Sequence, residues 1–291
     1  MGNLKFKKVL LLYILPAALI YAVFFIYPFI QTLYYSFFQW DGIFAPIFNG
    51  LKNYTELIKD RVFQESIVRV VKWAFLAGIL QSSLGLALAF LLRGKARANA
   101  FFRSAYFVPV VISSAAICVM FTVMYDKDIG LINAFLDLIG LGGLKRVWLG
   151  DRSVAFYATI AVPIWQAMGL FIMIMFSGLQ SIPEELYEAA QIDGASSFDL
   201  FLRITVPLML PIIQICVVLS VSNSFKNFDY IYMLTGGGPV NSTQVPATFM
   251  YNRAFMGMQY GVGTAVAVII CVLSGVFVTA VRSGFGCLMK D

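Results

Sequence analysis

Six apolar runs, at about 9–38, 67–92, 103–125, 153–177, 204–224 and 260–282, govern what this chain can fold into. A helix needs ~20 apolar residues to cross the hydrocarbon core of a bilayer, and each run is long enough. Water-soluble domains carry ~25% charged residues. Here 12% of 291 residues are charged and 60% are hydrophobic, with a mean hydropathy of +0.83. So little polar surface cannot cover a water-facing globule. The expectation is an all-α integral membrane protein with six transmembrane helices, read as a single domain over 1–291. The first run contains Pro16 and Pro28, which kinked membrane helices tolerate. It follows Lys5, Lys7 and Lys8 and lacks a small-residue cleavage site, so it reads as a retained anchor rather than a removed signal peptide.

Composition closes several routes to chemistry. There is no histidine, which removes His-based triads, His-ligated metals and imidazole acid–base catalysis. Cys118, Cys216, Cys271 and Cys287 are scattered with no CxxC pair, and they read as small hydrophobes rather than a zinc site or a disulfide framework. No pair of acids lies inside an apolar run, so an enzyme working within the membrane is not expected, nor any catalytic or metal site. The net charge of +6 comes mainly from basic residues flanking the runs, where lipid headgroups and topology explain them without nucleic acid.

Orientation rests on charge density. With the N-terminus inside, ten Lys/Arg fall inside and eleven outside, so totals decide nothing. Short loops weigh most in the positive-inside rule. The lysines at 5, 7 and 8, and Arg93, Lys95, Arg97 and Arg103 in one short loop, favour both termini in the cytoplasm. The outside segments are then 40–66, 126–152 and 225–259. The stretch "LKNYTELIKDRVFQESIVRVV" has helical spacing and is expected to lie along the membrane surface. In "LTGGGPVNST" the residues Gly236, Gly237, Gly238 and Pro239 demand a turn. No internal repeat is evident.

The stretch "ELYEAAQIDGASSFDLFLRITVP" (185–207) is out of keeping with its apolar flanks. Its loop, 178–203, carries Glu184, Glu185, Glu188, Asp193 and Asp199 against Arg203 alone. Ser181 with Glu184 fits a capping box with Pro183 in the first turn, and Ser196 with Asp199 fits a second. Gly194 between them can stop the first helix in a left-handed conformation. The motif is helix, glycine turn, helix. Ala189 and Ala190 leave a low surface that a partner backbone could approach, beside Glu188 as a polar anchor. A merely wet connecting loop is the alternative.

Polar residues at membrane depth are costly unless they face a partner or a water-filled cavity. Ser220, Asn223 or Ser224, and Asn227 recur at helical spacing and share a face. Trp165 and Gln166 follow Pro163 in an otherwise apolar run. Such groups suit sugar hydroxyls and the apolar face of a sugar ring, but serines and amides also join membrane helices. Gln81, Ser82, Ser83, Ser113 and Ser114 are read as helix packing.

The 185–207 stretch resembles the EAA motif of binding-protein-dependent ABC importer permeases. Glu188-Ala189-Ala190 is followed at the motif's spacing by Gly194, Ile204 and Pro207, with Val206 where leucine is usual. "GLKNYTELIKD", "FRSAYFVPVVIS", "IWQAMGLFIMIMFSGLQSIPEELYEAAQIDGAS" and "MLTGGGPVNST" extend the likeness to maltose-type, MalF-like sugar permeases over nearly the whole chain. One departure is Arg69-Val70, where that family often has Asn-Thr. The resemblance implies a type I importer permease in a bacterial or archaeal cytoplasmic membrane. Glu188, Ala189, Ala190, Asp193 and Gly194 would form a coupling helix docked on a cytoplasmic ATPase. Trp165, Gln166, Ser220, Asn223, Ser224 and Asn227 would border the substrate path, and the Gly236–Pro239 turn would meet a docked binding protein or gate the cavity. Its partners would be a second permease, two copies of a P-loop ATPase and an external solute-binding protein. With no G-x-x-x-x-G-K-[ST] loop here, ATP and Mg would be bound by the ATPase. The substrate class is carbohydrate, with glycerol phosphate or a polyol as the alternative. A stand-alone secondary transporter would need ionisable relays in its spans, which are lacking.

Overall fold

A computed structural model describes residues 13–92 and 97–289, and these are mainly helical. Among them, five helices are long and apolar enough to cross a membrane: α1 (Tyr13–Tyr35), α3 (Arg61–Leu91), α7 (Ala155–Leu179), α9 (Ser197–Lys226) and α12 (Tyr260–Leu288). The third apolar run is not one rod. It comprises α4 (Arg97–Val111) and α5 (Ser114–Met124), with Ser104–Val111 and Ser114–Met124 meeting at 104°. Shorter helices α2 (Lys52–Lys59), α6 (Leu131–Leu138), α8 (Glu184–Ile192), α10 (Asp229–Thr235) and α11 (Pro246–Tyr251) lie between.

The chain forms two compact units. One takes the residues as far as Arg61 together with Met250–Cys271; the other takes Val62–Phe249 and the residues from Val272. In the first, a hairpin of β1 (Phe38–Gln39) and β2 (Ile47–Phe48) pairs Phe38 with Phe48 and Gln39 with Ile47. Buried Asn53 on α2 closes it, its Nδ2 donating to the Ser36 and Phe38 carbonyls at 2.9 Å each. The start of α12 presses on the same hairpin, where a Cβ on Gly261 would run into the Phe38 carbonyl oxygen. Arg253 pairs with Asp60 at 2.5 Å. Asp60 is extended, and it ends α2 before α3 begins. The helical stretch expected along the surface is therefore a short helix followed by the first turns of a long one.

The second unit holds the main core. Leu86 and Ala89 of α3, Phe171, Ile172 and Met175 of α7, and Met209 of α9 form one buried cluster. Glycines let the helices meet closely: a Cβ on Gly178 would strike Ile212 and Met209, and one on Gly169 would run into the Tyr106 carbonyl. Residues 126–152 are ordered around Asn133. Its Oδ1 accepts from Trp148 Nε1 at 2.9 Å and its Nδ2 donates to the Lys127 and Arg146 carbonyls. Nearby, the Ile129 and Asp128 amides hold the Asp126 carboxyl below its usual range.

The 104° bend has a local cause. Pro109 lies inside α4, where a missing N–H and ring clash weaken a helix. Ser113 then turns extended and caps α5, its hydroxyl accepting from the Ala116 amide at 3.3 Å. Hydropathy is continuous across the break, so a single span over 103–125 was the sequence expectation.

Two sequence-level caps fare differently. Ser196 and Asp199 form a capping box. Ser181 instead donates to the Gly178 carbonyl at 2.7 Å, and Pro183 begins α8 with no side-chain cap. The basic cluster at Arg93 and Lys95 lies outside the described residues.

Gly169→Ala tests the α4–α7 approach. Overpacking against backbone that cannot rotate away costs about 1–3 kcal/mol, so the variant is expected to melt at lower temperature in detergent. Gly275→Ala, where a Cβ meets open space, is expected not to lower it.

Candidate functional site

A cavity of about 310 Å³ lies among α3, α7, α9 and the start of α10. Trp73, Ala77 and Gln81 contribute from α3, and Pro163, Ile164 and Ala167 from α7. Ser220, Asn223, Ser224 and Lys226 line it from α9, followed by Asn227 and by Tyr230 of α10. The shared face expected for 220–227 thus does form one wall.

The polar groups divide into two sets. Ser220 Oγ donates to Gln81 Oε1. Gln81 Nε2 in turn donates to the Ile164 carbonyl at 3.3 Å, and Ser224 Oγ donates to the Ser220 carbonyl at 2.9 Å. Ser220 and Ser224 are 1% and 3% exposed. These hydroxyls tie α9 to α3 and α7, which is the helix-joining role. Asn223, Lys226 and Asn227 also line the cavity, and no side-chain hydrogen bond among the described residues engages them.

Trp165 and Gln166 do not line this cavity. Trp165 packs edge-on to Phe121 at 5.4 Å. Gln166 is buried, its Nε2 donating to the Ile112 carbonyl at 2.8 Å and its Oε1 accepting from Tyr230 Oη at 2.6 Å. It therefore bridges the bend between α4 and α5 to the cavity wall. Trp73 and Tyr230 were missed as cavity residues because each is one aromatic in an apolar or aromatic-rich stretch. Gln81, read as packing, both packs and lines the cavity.

The acidic stretch folds as α8, a turn and the root of α9. Gly194 has φ +83°, a left-handed value that glycine adopts at little cost. Glu188, Ala189, Asp193 and Gly194 are exposed and Ala190 is half-buried. Ile192 (86%) and Phe198 (69%), apolar side chains on either side of the turn, are exposed as well.

The 236–245 loop is internally braced. Gly236 and Gly237 have φ +59° and +93°, and a Cβ on Gly237 would collide with Gln244 Oε1. Thr235 and Thr243 hydroxyls bond at 2.7 Å, and Thr243 Oγ1 donates to the Gly238 carbonyl at 2.8 Å. Val240 and Asn241 also have positive φ, and Val240 is exposed. Arg69 finds its place here. Its Nη1 donates to the Gln244 carbonyl at 3.3 Å, while its Nη2 pairs with Glu65 at 2.7 Å. Binding two partners at once suits the guanidinium fork.

The chain is similar to known proteins. Residues 81–283 match the model for the binding-protein-dependent transport system inner membrane component. A probable ABC transporter permease protein, YurN of Bacillus subtilis, is 38% identical, covering 90% of this chain and 91% of its own length. The trehalose/maltose transport system permease protein MalF of Thermococcus litoralis is 33% identical over 94% and 92%. A crystal structure of a bacterial alginate ABC transporter, in complex with an alginate pentasaccharide-bound periplasmic protein, holds a chain that superposes with a TM-score of 0.85. That match covers 100% of this chain and 98% of that one at 21% identity, and it shows the fold, the type I importer-permease architecture. With a family match that takes in α7, α8, the Gly194 turn and α9, the chain belongs to the binding-protein-dependent transport system inner membrane component family.

Proposed function

We propose that this chain is one of two permease subunits of an ATP-driven importer of carbohydrate, with both its termini in the cytoplasm. The observation that carries the reading is α9 itself: its first turns receive the exposed α8–Gly194 lever, and its other end lines the cavity with unengaged amides. The solute path runs past Asn223 and Asn227, whose amides meet sugar hydroxyls, with the indole of Trp73 beside them. Ser220, Ser224 and Gln81 fix that wall. The volume of about 310 Å³ is at the small end of the roughly 300–1,000 Å³ of ligand pockets, so the second permease completes the site.

Glu188, Ala189, Ala190, Asp193 and Gly194 form the contact with the ATPase, with Ile192 and Phe198 as apolar anchors. Two ATPase copies bind the ATP and Mg. The braced 236–245 loop, with its Gly236–Pro239 turn, faces the solute-binding protein. Names of relatives support the substrate class: the Thermococcus litoralis permease is a trehalose/maltose protein, and the alginate transporter was captured with an oligosaccharide-loaded periplasmic protein.

A mild-detergent pull-down of the tagged chain from its host tests the assembly. A P-loop ATPase, a second permease and a solute-binding protein are expected in the mass spectrum, and a pure homo-oligomer would sink the reading. Gly194→Val places a β-branched residue at positive φ, a strained conformation, and is expected to abolish solute uptake while the complex still assembles.

Lys226 supports a second reading, import of a glycerol phosphate or other anion, because this cationic residue lines the cavity. Lys226→Ala separates the two. Uptake of a neutral sugar is expected to continue, whereas an anionic substrate would lose its counter-charge and its transport.

A further inference from the structure

Beneath the cavity, at the root of α9, sits a buried polar joint. Tyr187 belongs to α8 and directly precedes Glu188, yet it points inward and is 8% exposed. Its hydroxyl lies 3.0 Å from Thr205 Oγ1. Thr205 is fully buried, and its own hydroxyl donates to the Leu200 carbonyl at 3.0 Å. The Thr205 proton is thus engaged, and Tyr187 is the donor. The bonds run in series from α8 through Tyr187 and Thr205 to Leu200.

Leu200–Thr205 is a π-helical turn, a wide turn rare in helices and frequent at functional sites. The series spans that turn from end to end. Phe201 within it packs edge-on to Phe90 near the end of α3, with ring centres 5.2 Å apart. The remainder of α8 is largely exposed. Besides the short covalent turn at 193–196, this buried bond is the polar tie between α8 and the root of α9. From Thr205 to Ser220 the helix rises roughly 22 Å at 1.5 Å per residue, which spans the distance to the cavity wall.

We propose that Tyr187 and Thr205 are the positioning residues through which movement of α8 is delivered to α9 and so to the cavity. The inference rests on the importer reading, and neither residue touches ATP or solute. A buried hydrogen bond is directional and strengthened by its low-dielectric surroundings. Apolar contacts alone would let α8 slide over the root of α9. The Tyr187 ring supplies the packing and its hydroxyl supplies the tie.

The two roles are separable. Tyr187→Phe keeps the ring and leaves Thr205 bonded to Leu200, so no buried donor loses its partner. Thr205→Val removes both bonds, and Thr205→Ser keeps the hydroxyl. The reporter is Asn223→Cys in the cavity wall, with labelling by N-ethylmaleimide followed peptide by peptide. The full complex is purified with its ATPase and solute-binding protein, then labelled with and without ATP plus vanadate. ATP with vanadate is expected to change the labelling rate at position 223. In Tyr187→Phe and Thr205→Val that change is expected to shrink about two- to tenfold, the reach of one hydrogen bond, with the ATPase still bound. Thr205→Ser is expected to restore it.

A merely structural role would lower yield and melting temperature while leaving the ATP-driven change intact. A full-sized change in both Tyr187→Phe and Thr205→Val, with ATPase bound, overturns the joint and leaves the importer standing. A preparation without ATPase overturns both.

Discussion

In hydrocarbon, a backbone carbonyl without a partner costs several kcal/mol, and the 104° bend between α4 and α5 interrupts the helical ladder that would supply one. The Ile112 carbonyl at that bend is taken by the Gln166 side chain, whose other end accepts from Tyr230. That single capture organises the neighbourhood. It makes the bend tolerable at depth, pins α7 against it, and sets Tyr230 as part of the cavity wall. Gly169, one helical turn from Gln166 on α7, lets the α4 backbone approach closely enough for the arrangement to close.

The same economy recurs along α9. Ser220 reaches Gln81 on α3, Gln81 reaches Ile164 on α7, and Ser224 folds back on Ser220. Three spans are joined by side chains that also border the cavity. The wall is consequently held at its position by hydrogen bonds rather than by apolar contact alone. The Tyr187–Thr205 bond at the root and the Ser220–Gln81 bond at the wall stand at opposite ends of one helix.

Much of this was legible in the sequence because the responsible physics is local. Apolar runs long enough to cross a bilayer are visible without a fold, as are the positive φ of Gly194 and of Gly236–Gly237 and the Ser196–Asp199 box. The bend was hidden because both of its arms are equally apolar, and hydropathy carries no direction. Ser181 looked like a cap and instead bonds back to the preceding helix, because Pro183 already starts α8. Arg69 looked like an unexplained departure, since its partner carbonyl at Gln244 lies 175 positions away.

The polar cluster marks the limit more sharply. Helical spacing places Ser220, Asn223, Ser224 and Asn227 on one face, and that face does line the cavity. Spacing does not say which of those groups a neighbouring helix will take. Ser220 and Ser224 have short side chains close to backbone, so they find partners within the protein. Asn223 is exposed and Asn227 ends the helix, and neither side chain is taken by a neighbouring helix among the described residues. Gln166 follows the opposite logic, since a long amide beside a broken helix is the group able to satisfy it. Residue type alone marks Gln166 and Asn223 equally as solute contacts. The location of an unmet backbone carbonyl, which only the assembled spans create, decides between them.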